Sequence, residues 1–513
     1  MFRFSLILFC SLLLISLSEN AKILGIFPTP SISHQVVFRA LMEDLSERGH
    51  QLTILTTDPS KTKNPNVTEI DFHDCYKEFR EKLNFVEFKE TKQDSFDLMN
   101  NFNVILMNIM EDHLNHLEVK KLIANKDTYK FDLVILEYLN YVPMLAFAEH
   151  FDAPVIGITS LDTFASGHEL MGNEANPVIH SEILFPYQHG KLNFWDRYES
   201  LKYYLRVRFS MQPRMDKIYT KFIAKHFPNV TATLNEMKER VALMMTNTHP
   251  AMGFNRPILP NTIQLGFMHI EKPKPLDVGD LKTFLDNSKN GVIYMSLGSN
   301  VQSKDLGQQS VDIFLKVFGT MKYDVLWKWE ADTLPNKPEN VRISKWLPQS
   351  DLLAHPKIKL FITQGGQQSM EEAIDRAVPL IVIPFLGDQD ANAERMKIKG
   401  IGYPLDLHSL SVNVLKEAIN EMLKPKYKKN IEELRDLIYD EPMTSRERAV
   451  WWTEYILRHK GAKHLKYEGR KTPFYQRYWL DFISIGILII IATIKSILVI
   501  IKLLRTNKKV KKN

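Results

Sequence analysis

Two adjacent glycines, Gly365 and Gly366, separate an apolar run from an amphipathic one. The run from Ile358 to Thr363 is short and apolar, which favours a buried strand, and we expect a helix to begin near Ser369. Glycine lets the backbone turn sharply and approach a ligand closely, and the free N–H groups at a helix N-terminus bind anions such as phosphate. The pattern therefore predicts a phosphate site, although a tight turn in a parallel sheet explains the same glycines equally well.

His34 is the candidate for proton transfer. It stands at the start of a predicted helix, just after the first strand-like run, Lys22 to Phe27, and imidazole exchanges protons near neutral pH. Glu137 ends another buried run, and functional side chains gather at the carboxyl ends of parallel strands. A carboxylate bonded to the imidazole would fix its tautomer, and Asp132, at the far end of that run, is the alternative partner. A lone histidine is more often a packing or surface residue, so this assignment depends on a wider pattern.

The stretch from Trp346 to Asn392 resembles the signature of the UDP-glycosyltransferase family, in particular its membrane-bound animal branch, which includes insect enzymes. The resemblance rests on Trp346-Leu347-Pro348-Gln349, Gly365-Gly366, Ser369, Glu372-Ala373, Pro379, Pro384, Asp388-Gln389 and Asn392. It continues over nearly the whole chain. It implies an α/β protein with two facing Rossmann-like domains (GT-B type), in which the first domain binds the acceptor and the second binds the UDP-sugar.

The resemblance also implies individual roles. Ser33-His34 stands where the family carries its catalytic histidine, so His34 would be the base and Glu137 its partner. The other matched residues would bind the donor: Trp346 the uracil, Gln349 the nucleoside, Glu372 the ribose, Ser299, Gly365 and Gly366 the diphosphate, and Asp388 and Gln389 the sugar.

Two residues, Glu137 and Gln364, depart from the family pattern. Glu137 stands where mammalian relatives have Asp, and the extra methylene shifts the carboxylate. Gln364 replaces the histidine that many relatives carry before the two glycines. An amide donates a hydrogen bond but carries no charge, so we expect weaker phosphate stabilisation with activity retained. Gln368 would add a second donor to the phosphates.

A metal site is not expected. Asp388-Gln389-Asp390 reads as D-x-D, the metal motif of the other glycosyltransferase fold, but here it follows a strand of the second domain. No zinc-ligand spacing appears elsewhere. We expect no cofactor either, because the UDP-sugar is a co-substrate.

Six segments are predicted along the chain. They are a signal peptide at 1–18, an N-terminal acceptor-binding domain at 19–265, a C-terminal UDP-sugar-binding domain at 266–445, a return helix and juxtamembrane segment at 446–481, a transmembrane helix at 482–501 and a basic cytosolic tail at 502–513.

Both ends of the chain indicate a membrane route. The apolar run from Phe4 to Leu17 follows Arg3 and precedes a small-residue cleavage site after Ser18. An uncleaved anchor is the alternative, but the run is short for a span. The second run, 482–501, is long enough to cross a bilayer. It contains Lys495, which would snorkel towards the headgroups, and the basic residues after it indicate the cytoplasmic side.

Other features fit a body in the lumen of the endoplasmic reticulum, with a single type I span. Cleavage would remove Cys10 and leave Cys75 as the one thiol, without an intrachain disulfide. Asn66 and Asn229 begin glycosylation sequons. Two lysines, at 509 and 511, have the dilysine spacing of retrieval signals, although positive charge at the cytoplasmic side explains them too.

The expected function is inverting, metal-independent transfer of a hexosyl group, glucose before other sugars, to a hydroxyl of a small lipophilic acceptor, as in detoxification or conjugation. UDP-glucuronate is the alternative donor, with Arg256 as the candidate cation for its carboxylate. Binding of the UDP-sugar or a lipophile without turnover is a further alternative. The net charge of +6 is modest and partly C-terminal, so no nucleic-acid partner is expected. The acceptor and the oligomeric state, a homo-oligomer included, stay open.

Overall fold

The computed structural model describes residues 20–60, 63–82, 89, 94–187, 191–253, 255–276 and 279–510. The predicted signal peptide, its cleavage site and the last residues of the basic tail lie outside them. The chain divides into two units, one ending at Lys466 and the other beginning at Tyr467.

Seven parallel strands form the first sheet, in the spatial order β3-β2-β1-β4-β5-β6-β7. They are β1 (Lys22–Phe27), β2 (Gln51–Thr56), β3 (Val67–Asp71), β4 (Leu133–Glu137), β5 (Val155–Thr159), β6 (Val241–Thr246) and β7 (Thr262–Gln264). The strand order reverses between β1 and β4, and open parallel sheets bind ligands at such a crevice. Because Ile26 pairs with Leu136, the loop after β1 begins beside Glu137.

Helices cover both faces of this sheet. In β1, Ile23 and Phe27 belong to one apolar cluster and Leu24 and Ile26 to another, since successive side chains point to opposite faces. A strand buried on both faces has an unbroken apolar run, which is why these strands are visible in the sequence. The helices are α1 (Ile32–Glu47), α2 (Cys75–Lys82), α3 (Ser95–Asn115), α4 (Leu117–Ala124), α5 (Ala146–Phe151), α6 (Ala165–Met171), α7 (Phe194–Arg206), α8 (Gln212–His226) and α9 (Leu234–Lys238), with a π-helical turn at Val207–Met211.

Six parallel strands form the second sheet, in the order β10-β9-β8-β11-β12-β13. They are β8 (Val292–Ser296), β9 (Asp324–Lys328), β10 (Val341–Ser344), β11 (Ile358–Thr363), β12 (Leu380–Val382) and β13 (Gly402–Pro404). The helices are α10 (Asp280–Asn287), α11 (Gln308–Gly319), α12 (Gln349–Leu353), α13 (Gln367–Asp375), α14 (Gln389–Ile398), α15 (Val412–Met422) and α16 (Pro425–Tyr439). Thr363 pairs with Ser296, so the glycine turn after β11 and the loop after β8 lie side by side.

The next helix, α17 (Ser445–Arg458), returns to the first sheet. Its residues Ala449 and Ile456 are buried in the same cluster as Ile23 and Leu41. Glu454 accepts from Arg48 Nε at 2.5 Å, which anchors α17 to the end of α1. The core of the first sheet is therefore completed by a segment that follows the second sheet in the chain.

The second unit contains α18 (Phe474–Arg477) and α19 (Leu480–Val510). Within α19, the 26 residues Leu480–Arg505 are apolar enough to cross a membrane, by length and composition alone. The predicted span, 482–501, lies inside this stretch.

The sequence did not predict β3, β7, β10 and β13, and all four are edge strands. An edge strand has only one neighbour and is often short and polar, so it lacks the apolar run that marks a central strand. The helix after the glycine turn also begins at Gln367, two residues before the predicted start.

We expect Ile456→Ala to lower the free energy of unfolding by roughly 2–5 kcal/mol, because it removes buried methyl groups and leaves a cavity. The matched control is Leu437→Ala on α16, where the side chain is 61% exposed and the change should stay within about 0.5 kcal/mol. Urea unfolding of the detergent-solubilised protein measures both. Equal stability of the two variants would contradict the packing of α17 into the first core.

Candidate active site

A histidine–carboxylate pair joins the ends of two neighbouring strands. His34 lies in the first turn of α1, and Glu137 is the last residue of β4. His34 Nδ1 lies 2.8 Å from Glu137 Oε1, and 15% of the His34 side chain is exposed while that of Glu137 is fully buried. The pair therefore leaves Nε2 as the ring nitrogen available to a ligand. Asp132, the alternative partner, accepts from Lys22 N at 2.8 Å, at the opposite end of β4.

The loop after β1 holds the Glu137 carboxylate in place. Thr29 N donates to Oε2 at 3.1 Å, and Thr29 Oγ1 donates to Oε1 at 2.7 Å. Tyr141 Oη lies 3.0 Å from Thr29 Oγ1 and is the donor of that bond, because the Thr29 proton is directed at Glu137. Burial first, and then the charge of Glu137, raise the pKa of Tyr141 well above its ordinary value. The buried carboxylate thus has three hydrogen bonds in place of its lost hydration.

Sequence reasoning missed Thr29 and Tyr141. One signal was present, because Pro28 and Pro30 have no N–H and Thr29 therefore carries the only backbone donor of the three. Gln35 Nε2, from α1, donates to Thr29 O at 2.9 Å and fixes the loop. The Glu137 side chain is one methylene longer than that of Asp, and its carboxylate still contacts the imidazole of His34.

The glycine turn has the geometry that requires glycine. Gly365 has φ +85°, and a Cβ there would lie 2.5 Å from Val382 Cγ1. Gly366 is the N-cap of α13, and glycine has no side chain that could cap the helix. The N–H groups of the first turn therefore remain for an anion. Asn392 Nδ2 donates to Gly365 O at 2.9 Å and braces the turn.

Two predicted donor residues, Gln349 and Glu372, form one cluster with Ser369 at the side of α13. Gln349 Nε2 donates to Glu372 Oε2 at 2.7 Å and to Ser369 Oγ at 2.9 Å. Tyr294 Oη donates to Gln349 Oε1 at 3.1 Å. Burial raises the pKa of Glu372. Trp346 is 60% exposed, so its ring is open to stacking.

Lys328, the last residue of β9, contacts both the loop after β8 and the ring of Trp346. Its Nζ donates to Gly298 O at 2.8 Å, beside Ser299, and to Glu330 Oε1 at 2.9 Å. The same Nζ lies 5.7 Å from the ring centroid of Trp346. The exposed ring and the loop after β8 therefore share one cation.

The second domain comes close to His34, through one hydrogen bond and through the carboxyl group of Asp388. Asn300 Nδ2 donates to Ser31 Oγ at 3.1 Å, three residues before His34. Burial raises the pKa of Asp388, and the nearby His34 is among the groups that act in the opposite direction. Asp388 Oδ2 also accepts from Asn392 Nδ2 at 2.7 Å.

Gln364 and Gln368 have different surroundings. Gln364 is buried against the loop after β8, where a Cβ on Gly298 would lie 2.4 Å from its Nε2. Gln368 Nε2 donates to Ser160 O of the first domain at 2.6 Å. The role predicted for Gln368, a hydrogen bond to the phosphates, is not the contact found here, because its amide is engaged across the domain boundary.

The D-x-D residues have separate partners. Asp388 bonds Asn392, while Asp390 Oδ1 lies 3.7 Å from Lys89 Nζ. Gln389 Oε1 accepts two backbone N–H groups, of Phe385 at 2.8 Å and of Leu386 at 3.1 Å, and so closes its own turn. In the part of the chain that the structure describes, no group of three or more His, Cys, Asp or Glu residues is arranged to hold a metal ion.

Arg256 is paired inside the protein. Its Nη2 lies 3.8 Å from Asp162 Oδ2, and both side chains are nearly buried. His168 Nε2 lies 3.2 Å from the other oxygen of Asp162. Burial by itself raises the pKa of Asp162, but His168, Arg256 and Arg395 together hold it well below its usual range. The cation predicted for a glucuronate carboxylate therefore already faces a carboxylate.

The two sequons differ in accessibility. Asn229 and Thr231 are exposed. Asn66 is half-buried, and its Nδ2 donates to Ser46 O at 3.3 Å.

Cys75 is the free cysteine among the described residues.

A model of the family described as "UDP-glucoronosyl and UDP-glucosyl transferase" matches residues 21–513. UDP-glycosyltransferase UGT5 of Dactylopius coccus is 32% identical over 483 residues, which cover 94% of this chain and 91% of that protein. An ecdysteroid UDP-glucosyltransferase of Mamestra brassicae nuclear polyhedrosis virus is 32% identical and covers 88% of this chain and 87% of its own. Human UDP-glucuronosyltransferase 2B17 is 29% identical, with 95% of each chain covered.

Solved structures show the same fold. The glycosyltransferase of kitacinnamycin has a TM-score of 0.57 at 17% identity and covers 85% of this chain and 98% of its own. UDP-glucose: anthocyanidin 3-O-glucosyltransferase, solved in complex with UDP, has a TM-score of 0.56 at 14% identity and covers 86% and 99%. Two facing Rossmann-like domains of the GT-B type are therefore confirmed.

We expect Gly365→Ala to lower the free energy of unfolding by roughly 2–4 kcal/mol, because it combines a strained positive φ with a clash against Val382. Gly307→Ala is the matched control: it caps α11 with φ −57° and has no atom within 4 Å of an added Cβ. In this variant the weaker N-cap lowers the free energy of unfolding, and the stiffer unfolded chain raises it. The two effects should cancel to within about 0.5 kcal/mol. Guanidinium unfolding measures both, and equal stabilities would contradict the packed turn.

Proposed function

We propose that this chain, which belongs to the UDP-glucoronosyl and UDP-glucosyl transferase family and is a UDP-glycosyltransferase, transfers glucose from UDP-glucose to a hydroxyl group of a small lipophilic acceptor. The observation that carries the proposal is the pairing of His34 with Glu137 at 2.8 Å on the first-domain side of the site. The second domain contributes the open helix N-terminus after Gly365. The contact from Asn300 to Ser31 joins the two sides.

The proposed chemistry is a single displacement with inversion. His34 Nε2 takes the proton of the acceptor hydroxyl while the oxygen attacks the anomeric carbon. The bond from that carbon to the β-phosphate oxygen breaks at the same time, and UDP leaves with its electron pair. Glu137 then stabilises the imidazolium.

The leaving diphosphate acquires negative charge, which the N-terminus of α13 is suited to stabilise through its N–H groups and its dipole. Gln364 stands where a histidine would contribute charge, and an amide contributes only a hydrogen bond. We propose that no metal takes part, since Asp388 and Asp390 are bound to separate protein partners.

Charge balance supports a neutral sugar. Near the predicted sugar-binding residue Asp388, the cations Arg256 and Arg395 lie close to Asp162, and Arg395 Nη1 donates to Asn392 Oδ1 at 2.8 Å. Two arginines and two aspartates leave no excess of positive charge there. A glucuronate carboxylate would add an uncompensated negative charge in buried surroundings, whereas a glucose hydroxymethyl group adds none. UDP-glucuronate remains the second candidate donor because of the human relative.

We further propose a type I membrane protein with its body in the lumen of the endoplasmic reticulum and α19 as its span. The apolar length of Leu480–Arg505 and the basic residues after it support this orientation. The exposed Asn229 is the better glycosylation candidate of the two sequons. A role in conjugating lipophilic compounds is supported by the viral relative named for an ecdysteroid, a steroid that carries hydroxyl groups.

We expect His34→Ala to lower kcat by about 10²–10⁴-fold, because the variant has no base for the acceptor proton. UDP affinity should change by less than about twofold, since the nucleotide is bound by the second domain. Turnover is measured on microsomes with UDP-glucose and a panel of lipophilic alcohols and phenols, and UDP binding by calorimetry on the detergent-solubilised protein. The control, His459→Ala, changes an exposed histidine after α17 and should match the parent. Turnover retained in His34→Ala would contradict the proposed base.

With the unaltered protein, we expect kcat/KM for UDP-glucose to exceed that for UDP-glucuronate by about tenfold or more, which corresponds to about 1.4 kcal/mol of discrimination. Turnover should be the same with and without EDTA. A preference for UDP-glucuronate would contradict the charge-balance argument, and loss of activity in EDTA that Mg²⁺ restores would contradict the metal-independent mechanism.

A further inference from the structure

Three polar side chains form a buried face of α13. Gln367, Gln368 and Glu371 are nearly or fully buried, although the sequence resembles a solvated helix face there. Buried polar groups need hydrogen-bond partners. Their partners show what this face of the helix contacts.

The first set of partners lies in the first domain. Gln368 Nε2 donates to Ser160 O at 2.6 Å. Asn247 Nδ2 donates to the same carbonyl at 3.0 Å and to Glu371 Oε2 at 3.2 Å. Ser160 directly follows β5, and Asn247 directly follows β6. Two side chains of α13 are therefore bound to the carboxyl ends of two strands of the other domain.

The second partner lies in the crossing segment, the part of the chain between β7 and α10. His269 Nδ1 lies 3.3 Å from Glu371 Oε2, and both side chains are buried. Burial by itself lowers the pKa of His269, but the nearby Glu371 carboxylate raises it overall. Gln367 Nε2 donates to Glu371 Oε1 at 2.8 Å. Glu371 is thus held by its own helix, by the first domain and by the crossing segment.

Other side chains of the same helix belong to the donor side. Glu372 and Ser369 bond Gln349, and the N-terminus of α13 follows Gly366. Neighbouring residues, Glu371 and Glu372, therefore serve different domains. Gln368 and Glu372 are four residues apart, so the contact with Ser160 and the contact with Gln349 lie one helical turn apart.

The first-domain end of these contacts is close to the proposed base. In the sheet β5 lies next to β4, and Ile158 pairs with Glu137, two residues before Ser160. Ser160 is therefore two residues, along one strand, from the residue that pairs with Glu137. A packed sheet transmits small shifts because its interior has few voids.

We propose that Gln368 and Glu371 are positioning residues that form an interdomain latch with Ser160, Asn247 and His269, and that the latch couples occupancy of the UDP-sugar site to the orientation of the His34–Glu137 pair. The inference rests on the proposed donor site at α13 and on the proposed role of His34. It assigns to Gln368 a role in closing the domains instead of a contact with the phosphates.

Gln368→Met tests the latch, because methionine keeps the length of the side chain and removes the donor to Ser160 O. We expect kcat to fall about tenfold, as for the loss of one buried hydrogen bond, while UDP affinity changes by less than about twofold. Hydrogen exchange of the full-length protein, with and without UDP, gives the decisive measurement. In the unaltered protein UDP should slow exchange in α13 and also at 159–164 and 246–249. In Gln368→Met the slowing should persist in α13 and disappear from the two first-domain segments.

Asn247→Leu tests the latch from the other domain and should give the same pattern, which keeps the inference testable if one variant fails to fold. Gln308→Met on α11, where the exposed glutamine bonds Asp312 within its own helix, is the matched control and should behave as the parent. If UDP still slows exchange in the first-domain segments of both variants, the latch is wrong. If both variants lose UDP affinity in parallel with kcat, these residues act on the donor directly. If UDP protects no part of α13 in the unaltered protein, the proposed donor site is wrong, and the latch with it.

Discussion

A buried negative charge needs hydrogen-bond donors around it, and Glu137 imposes this requirement on the first domain. Its carboxylate has no contact with solvent and accepts from Thr29 twice and from His34 once. These donors come from the loop after β1 and the first turn of α1, so the pairing of β1 with β4 must be in register for all three bonds to form. The imidazole is oriented by the same interactions that make the buried charge tolerable.

The second domain has a comparable constraint at the glycine turn. Gly365 has a positive φ, and this sharp turn leads from β11 into the N-terminus of α13. The helix that begins there is contacted by Gln349 of its own domain and by Ser160 and Asn247 of the first domain. The two halves of the site are therefore not independent, because a single helix carries the contacts of both.

The central strands and the glycine turn could be predicted, since each has a local signal: an apolar run or two glycines. The candidate residues were proposed from their match to the family pattern. The four edge strands were missed because a short polar strand resembles a loop. Gln368 and Arg256 were predicted to face ligands, because their residue types suit phosphate and carboxylate. Their contacts with Ser160 and Asp162 involve partners far away in the chain, which no local pattern reveals.

The sequence by itself determined the local properties of this protein: which runs are buried strands, where glycine permits a turn, which helix is apolar enough for a bilayer, and which family it resembles. Only the tertiary structure decided which polar groups meet. His34 and Glu137 are 103 residues apart in sequence, and Gln368 and Ser160 are 208 apart. A hydrogen bond forms only within a few tenths of an ångström of its ideal length, and the order and register of the strands, which depend on the whole chain, bring these atoms to that distance.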